Sequence, residues 1–220
     1  MTLVSVIVAT YNRPELLTKS CIPSILGQMH TNVDIHIVGD GCSEETLNKM
    51  GDLRAIFKDD RLRFTNRPRP EYPPDGLDAW HVSGSHAWNY GLDTVKGEYV
   101  CFLADDDEYH PEFIEALLDA IIENDAGLAW CASEIWGPGF RGYLGVDEPL
   151  RLGGQSGGEF LWRRNDVRFD PECYRKGLPN DWDYFSRVLA SGVVPVHVKR
   201  ALYKYYPTQH VPRGCDRLPW

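Results

Sequence analysis

The chain lacks any apolar run near the roughly 18 residues a membrane-crossing helix needs. It lacks an excess of positive charge: 23 Lys and Arg stand against 32 Asp and Glu, a net charge of −9. That balance disfavours non-specific nucleic-acid binding, which rests on cations; a local basic patch at Arg163, Arg164 and Arg168 remains. Its six cysteines (21, 42, 101, 131, 173 and 215) show no CxxC pair and no zinc spacing. Several, such as Cys101 and Cys131, sit in apolar runs, so they read as reduced thiols in a cytoplasmic protein. Internal repeats are absent. The opening residues Met1 to Val6 have no basic n-region or cleavage site and read as a core strand rather than a signal peptide. What is present is ordinary: 43% hydrophobic and 25% charged, which excludes a disordered or fibrous chain. A length of 220 residues suits one α/β domain with a sizeable core.

"LVSVIVAT" (3–10) and "VDIHIVGD" (33–40) are apolar, β-branched runs that predict strands buried on both faces. Pro14 opens a helical stretch carrying Leu16, Leu17, Ile22, Ile25 and Leu26, which Pro23 is expected to kink or shorten. "SEETLNKM" (43–50) predicts a helix capped by Ser43. Residues 66–77, with four prolines, predict a loop, and 83–96 a helix closed by Gly97. A strand at 98–104 precedes an amphipathic helix carrying Phe113, Ile114, Leu117, Leu118, Ile121 and Ile122. Further strands are expected at 128–133, 159–164 and 193–198, the last at an edge because of Pro195. A short helix is expected at 180–192. The Gly-rich segment 134–158 reads as a mobile loop. Alternating strand and helix in the first half implies a mostly parallel sheet flanked by helices.

In such sheets ligands bind beyond the carboxyl ends of the strands. Three polar clusters fall there: Thr10-Tyr11-Asn12-Arg13, Asp40-Gly41-Cys42-Ser43, and Asp105-Asp106-Asp107. Three adjacent carboxylates repel one another and call for a partner. Either they form an acidic turn capping the helix after Pro111, or they supply hard oxygen ligands to Mg²⁺ or Mn²⁺ beside a diphosphate. Asp40 reads as an Asp-Gly turn or as an acceptor for a base edge. Arg13 is a surface residue or a cation facing a diphosphate, and Tyr11 a gap-filler or a base-stacking ring. Asp181 is a helix cap or a general base. His210, in a Tyr- and Pro-rich tail, completes a metal shell only if the tail folds back onto the rim. Gly91 permits close helix–sheet packing. Among seven tryptophans, Trp136, Trp162 and Trp182 are core residues or platforms for an acceptor sugar.

The stretches "SVIVATYNRPELL", "HIVGDGCSEETL", "GSHAWNYGLDTVKGEYVCFLADDDEYHPEF" and "NDWDYFSRVLASG", in this order and spacing, resemble the family-2 glycosyltransferases with the GT-A fold. The resemblance covers nearly the whole chain. It implies a single GT-A domain, with residues 1–107 holding a nucleotide-sugar and 108–220 the acceptor and the base. Ala9, Thr10, Tyr11, Arg13, Asp40, Asn89 and Asp105 would line the donor. Residues 105–107 correspond to the DxD metal region, with Ala104 at its first place; Asp106 and Asp107 are expected on Mn²⁺ or Mg²⁺, joined by His210, and Asp105 on ribose or metal. Asp181 matches the inverting members' base, with Asn180 where an acidic residue usually precedes it and Trp88 where many members have Arg. Trp162 and Trp182 would meet the acceptor. The implied activity is metal-dependent, inverting transfer, from a UDP-sugar, to a glycan, lipid-linked or small-molecule hydroxyl. The implied setting is cytoplasmic or peripheral to a membrane. A nucleotidyltransferase would usually carry a Gly-rich, basic loop after the first strand, which "TYNRPELL" lacks; a non-catalytic nucleotide-sugar-binding module is the other alternative.

Overall fold

Val4, Val6 and Val8 face one side of a sheet and Ile7 the other, as the two-residue period of a strand requires, and both sides are covered. The computed structural model describes residues 1–137, 140–150 and 154–207. The chain runs β1 (Val4–Thr10), α1 (Pro14–Leu16), a π-helical turn (Leu17–Cys21), α2 (Ile22–Leu26), β2 (Val33–Asp40), α3 (Glu44–Met50), α4 (Leu53–Phe57) and β3 (Leu62–Arg67). There follow α5 (Gly76–Val82), α6 (Ser85–Thr94), β4 (Tyr99–Ala104), β5 (Glu108–Tyr109), α7 (Phe113–Glu123), β6 (Leu128–Gly137), β7 (Phe140–Leu144) and β8 (Phe160–Arg163). A 3-10 turn (Cys173–Lys176), α8 (Asn180–Ala190) and β9 (Pro195–Tyr205) complete it.

The strands form one mixed sheet in the order β3-β2-β1-β4-β8-β6-β9-β5, with β7 paired to β6. β1 pairs in parallel with β2 on one side and β4 on the other. The chain therefore reverses direction across the sheet at β1, which opens a crevice at the carboxyl ends of these strands. β8 is antiparallel to both β4 and β6, joining the strands of the two halves into one sheet.

Several expectations are corrected. The helix expected over 83–96 is present as α6, but a further helix, α5, precedes it and begins within the expected loop: Asp75 caps α5 by accepting from Leu77 N at 2.9 Å, and Gly84, at φ +76°, separates it from α6. α4 and β3 were not anticipated; β3 is an edge strand in which Arg63 stands between Leu62 and Phe64 and polar residues follow. The segment 134–158 is not wholly irregular, because β6 runs on to Gly137 and pairs with β7 as a hairpin. β9 continues to Tyr205, and Pro195 is its first residue, where a missing N–H is tolerated. Pro23 does not end its helix; the π turn before it carries the chain into α2, with Ile22 N–H bonded to Leu17 O. Gly91 lies so close to β1 that a Cβ there would overlap Ile7.

Candidate active site

The registers align Thr10 with Gly39 and Ala9 with Ala104, so the residues just beyond them share one rim. The acidic triplet stands there, buried. Thr10 Oγ1 donates to Asp105 Oδ2 at 2.7 Å, and Tyr11 N–H reaches the same oxygen at 3.4 Å. Arg13 Nη1 donates to Asp105 Oδ1 at 3.2 Å and to Asp106 Oδ2. Burial works against the Arg13 charge, but Asp105 and Asp106 outweigh it and hold the guanidinium above its ordinary pKa. The triplet's repulsion is thus met by a cation from the β1 cluster. Asp107 is served differently: Tyr203 O–H donates to Oδ2 at 2.5 Å and Tyr206 N–H to Oδ1 at 2.8 Å. Burial first, then the Asp107 charge, raises Tyr203 well above its usual pKa, so the phenol stays a donor.

Both oxygens of Asp107 are taken up by β9 and the residue after it, whereas Asp105 and Asp106 converge on one cationic nitrogen. Two hard carboxylates meeting at one point fit a divalent ion completed by phosphate oxygens. Among the described residues no three His, Cys, Asp or Glu side chains gather to enclose a metal on their own. His210 lies outside the described residues.

Asp40, at the end of β2, is 4% exposed. Its Oδ2 accepts from Arg69 Nη1 at 3.0 Å and from Tyr72 O–H. Arg69 lies 3.6 Å above the Tyr11 ring and 4.5 Å from the Tyr72 ring. Gly41 adopts φ +78°, and a Cβ there would meet the Arg69 backbone at 2.7 Å. Arg69 and Tyr72 were missed in the sequence because they sit in a Pro-rich loop with no periodicity; the only signal was an arginine and a tyrosine interleaved with prolines.

Asp181 occupies the first turn of α8. Tyr184 and Phe185, one turn on, anchor that helix against Phe169, Phe160 and Trp162. Fully burying such rings contributes about 1.5–3 kcal/mol each. Asn180 ties the helix start to α6 through Ser83 O at 2.8 Å and Ser85 Oγ at 2.9 Å. The Asp181 residue keeps some surface, but its carboxylate lies against Gly157, where an added Cβ would stand 2.7 Å from Oδ2. Burial raises its pKa to about 6, although Trp182 N–H donates to Oδ1 at 2.7 Å. Pro179, not Asn180 or Asp181, holds the N-cap position. Burial first, then the charges of Asp107, Asp181, Glu159 and Asp106, raise Tyr205. One phenol therefore feels the acidic wall and Asp181 together. Glu159 was also missed: it is a 0% exposed carboxylate whose pKa burial lifts to about 7.

Other expected site residues fall elsewhere. Trp162 is 0% exposed and packs on Phe102 at 4.6 Å, so it is core and meets no acceptor. The Asn89 amide clamps the Phe169 backbone, donating to O at 2.9 Å and accepting from N at 2.7 Å, and is not free for a donor. Trp88 packs on Phe102 at 4.7 Å. Ala9 and Trp182 are half-buried, and Tyr11 is 44% exposed. The five described cysteines are buried and free.

A mixed sheet with its switch at β1, flanked by helices and carrying this carboxylate rim, has the GT-A architecture. The sequence pattern described as "Glycosyl transferase family 2" matches residues 5–175, and the chain belongs to that family. A GalNAc(5)-diNAcBac-PP-undecaprenol beta-1,3-glucosyltransferase of Campylobacter jejuni is 36% identical over 104 residues, 47% of this chain and 29% of that protein. TarS 1-349 of S. aureus superposes with a TM-score of 0.70 at 18% identity, over 96% of this chain and 62% of that one; its complex with UDP-GlcNAc gives 0.64, also at 18%, over 94% and 58%. The mannosyltransferase PcManGT from Pyrobaculum calidifontis, in complex with GDP-Man and Mn²⁺, gives 0.60 at 15%, over 96% and 57%. The chain spans 18% and 37% of the length of two further curated relatives, both uncharacterized glycosyltransferases of Rickettsia.

Proposed function

We propose that the chain is a glycosyltransferase that moves a sugar, with inversion, from a nucleoside-diphosphate donor to an acceptor hydroxyl. The observation that supports this reading is the turn at Gly157 and Gly158, which lies against Asp181 on one side and against Tyr203, the hydrogen-bond partner of Asp107, on the other. Residues 1–107 bind the donor and 108–220 bring the base and the acceptor. Asp40 Oδ1 accepts the imide N–H of a uracil, so UDP is the favoured nucleotide; the TarS complex with UDP-GlcNAc supports this choice. The base lies against Tyr11 and either displaces Arg69 or stacks on it. Thr10 holds Asp105 in place, and Arg13, bonded to Asp105 and Asp106 in the structure, would turn from them toward the diphosphate when the ion binds.

Asp105 and Asp106 would hold Mn²⁺ or Mg²⁺, as the Mn²⁺ complex of the mannosyltransferase supports. Such an ion supplies Lewis-acid stabilisation of charge on the leaving diphosphate. Asp181 accepts the acceptor's hydroxyl proton as the oxygen bonds to the anomeric carbon. The bond from that carbon to the diphosphate oxygen breaks on the opposite face, with no covalent enzyme intermediate. Trp182, beside the base, is the remaining acceptor contact, and a glycan, lipid-linked or small hydroxyl compound is the acceptor. No described helix is long and apolar enough to cross a membrane, so a lipid-linked acceptor would be met at the surface of a bilayer or through a partner.

Titration calorimetry with UDP, with and without Mn²⁺, tests the donor side. Asp106→Asn is expected to remove the Mn²⁺-dependent part of binding while leaving the unfolding midpoint within a few degrees of wild type. Unchanged Mn²⁺-dependent affinity in a folded Asp106→Asn protein would falsify the metal role.

A further inference from the structure

We propose that Glu159 is a positioning residue, which fixes the turn 156–158 and thereby sets where the Asp181 carboxylate stands relative to the acidic wall. The inference rests on the reading of Asp181 as the base. Glu159 immediately precedes β8 and is 0% exposed. A carboxylate in such a place carries a desolvation cost that an apolar residue would avoid. Its two oxygens have identifiable work. Ser133 Oγ, on β6, donates to Oε1 at 2.5 Å, and Ser156 N–H donates to Oε1 at 2.8 Å and Oε2 at 2.9 Å. Its own carbonyl accepts from Cys131 N–H at 3.1 Å, which ties the residue a second time to β6.

The segment held in this way is in contact with both sides of the cleft. Gly157 adopts φ +87°, and a Cβ there would stand 2.7 Å from Asp181 Oδ2 and 2.8 Å from Asp181 Cβ. Gly158 lies so close to the Tyr203 ring that a Cβ would overlap it. Tyr203 in turn holds Asp107 through its hydroxyl. A continuous set of tight contacts therefore runs from β6 through Glu159 to the turn, and from the turn to the base on one side and the acidic wall on the other. Two adjacent glycines let the backbone come this close, and Glu159 keeps it there. The titratable groups that the charge of Glu159 reaches are Cys131, Tyr203 and Tyr205, each of which it raises.

The test follows the ionisation of Asp181 by carbon NMR in the full chain labelled at aspartate Cγ, with the resonance assigned by its loss in Asp181→Asn. In wild type it is expected to titrate near 6, because burial raises the Asp181 carboxyl to about that value. Glu159→Leu leaves Ser156 N–H without its acceptor and admits water to the turn, so the Asp181 midpoint falls toward the ordinary value of about 4. Glu159→Gln retains an amide oxygen for Ser156 and a donor for Ser133, so it keeps the midpoint near wild type. If Glu159→Leu does not fold, Ser133→Ala removes the other anchor and is expected to shift Asp181 in the same direction by less. Calorimetry with UDP and Mn²⁺ should give the wild-type affinity in each folded variant, which separates a loosened turn from general damage. An unmoved Asp181 midpoint in every folded Leu and Ala variant overturns the role of Glu159. Undiminished sugar transfer by Asp181→Asn overturns the base reading instead, whatever the NMR result.

Discussion

Burial holds the Asp181 carboxyl at about 6, so it is mostly ionised at pH 7 and yet a stronger base than an exposed aspartate. A general base is most effective when its pKa lies near the working pH. The rate of transfer is therefore expected to rise with pH along a single ionisation with its midpoint near 6, and to level off by pH 8. Asp181→Asn should lower kcat by about 10²–10⁴-fold and leave UDP affinity unchanged, because Asp181 stands apart from Asp40, Arg69 and Tyr72. Initial rates from pH 5 to 8, with calorimetric UDP titrations beside them, check both. A flat profile, or a variant that turns over at the wild-type rate, removes Asp181 from the mechanism. The same residue shows how far the sequence could be read. "NDWDYF" placed a carboxylate at a helix start, but its contact with Gly157 and its raised pKa depend on a turn that local sequence does not announce.

At the scale of elements, the strands carrying the donor rim were legible because each is a continuous apolar run closed by polar residues. β1, β2 and β4 begin and end within a residue or so of expectation. What failed was short or mixed in character. α5, only seven residues long, was lost beside the Pro-rich stretch that precedes it. The β6–β7 hairpin was hidden by glycines, although Ile135, Trp136 and Tyr143 have strand-forming side chains. Aromatic rings were ambiguous for a physical reason: a tryptophan can pack in a core or stack on a sugar, and only burial distinguishes Trp162 from Trp182. Gly91 was legible as a packing position, and it supports a quantitative expectation. Any larger side chain there pushes α6 away from β1, and overpacking of this kind costs about 1–3 kcal/mol. Gly91→Val should lower the urea midpoint accordingly without changing the m-value, since the exposed surface on unfolding is nearly the same. A Gly91→Val protein as stable as wild type would show that α6 does not bear on Ile7.

At the scale of the whole molecule, three buried groups make stability depend on pH in opposite directions. Asp181 at about 6 and Glu159 at about 7 have folded pKa values above those of an unfolded chain. Their stabilising contributions are complete below about pH 4 and are lost as pH rises through 6 and 7. His36 behaves in the other sense. Burial, followed by the nearby Arg63 charge, lowers it to about 4, with Thr65 and Thr94 bonded to its two ring nitrogens. The unfolded chain then binds a proton that the folded protein does not, between about pH 4 and 6.5, so this residue makes stability rise with pH. Asp59 and Asp170, lowered by hydrogen bonds from Arg61 and Lys176, act in acid and are already fully ionised by about pH 5. Between pH 5 and 6 the two raised carboxyls oppose one histidine, and wild-type stability should fall as pH rises. In a protein carrying Asp181→Asn and Glu159→Gln only the histidine remains of the three, and the slope should reverse, with stability rising from pH 5 to 6.5 and level above it. Urea unfolding at half-unit steps of pH measures the slope directly. Parallel curves for the two proteins would mean that neither carboxyl titrates at a raised pKa in the folded state, whereas His36→Gln in the double variant is expected to flatten the remaining rise.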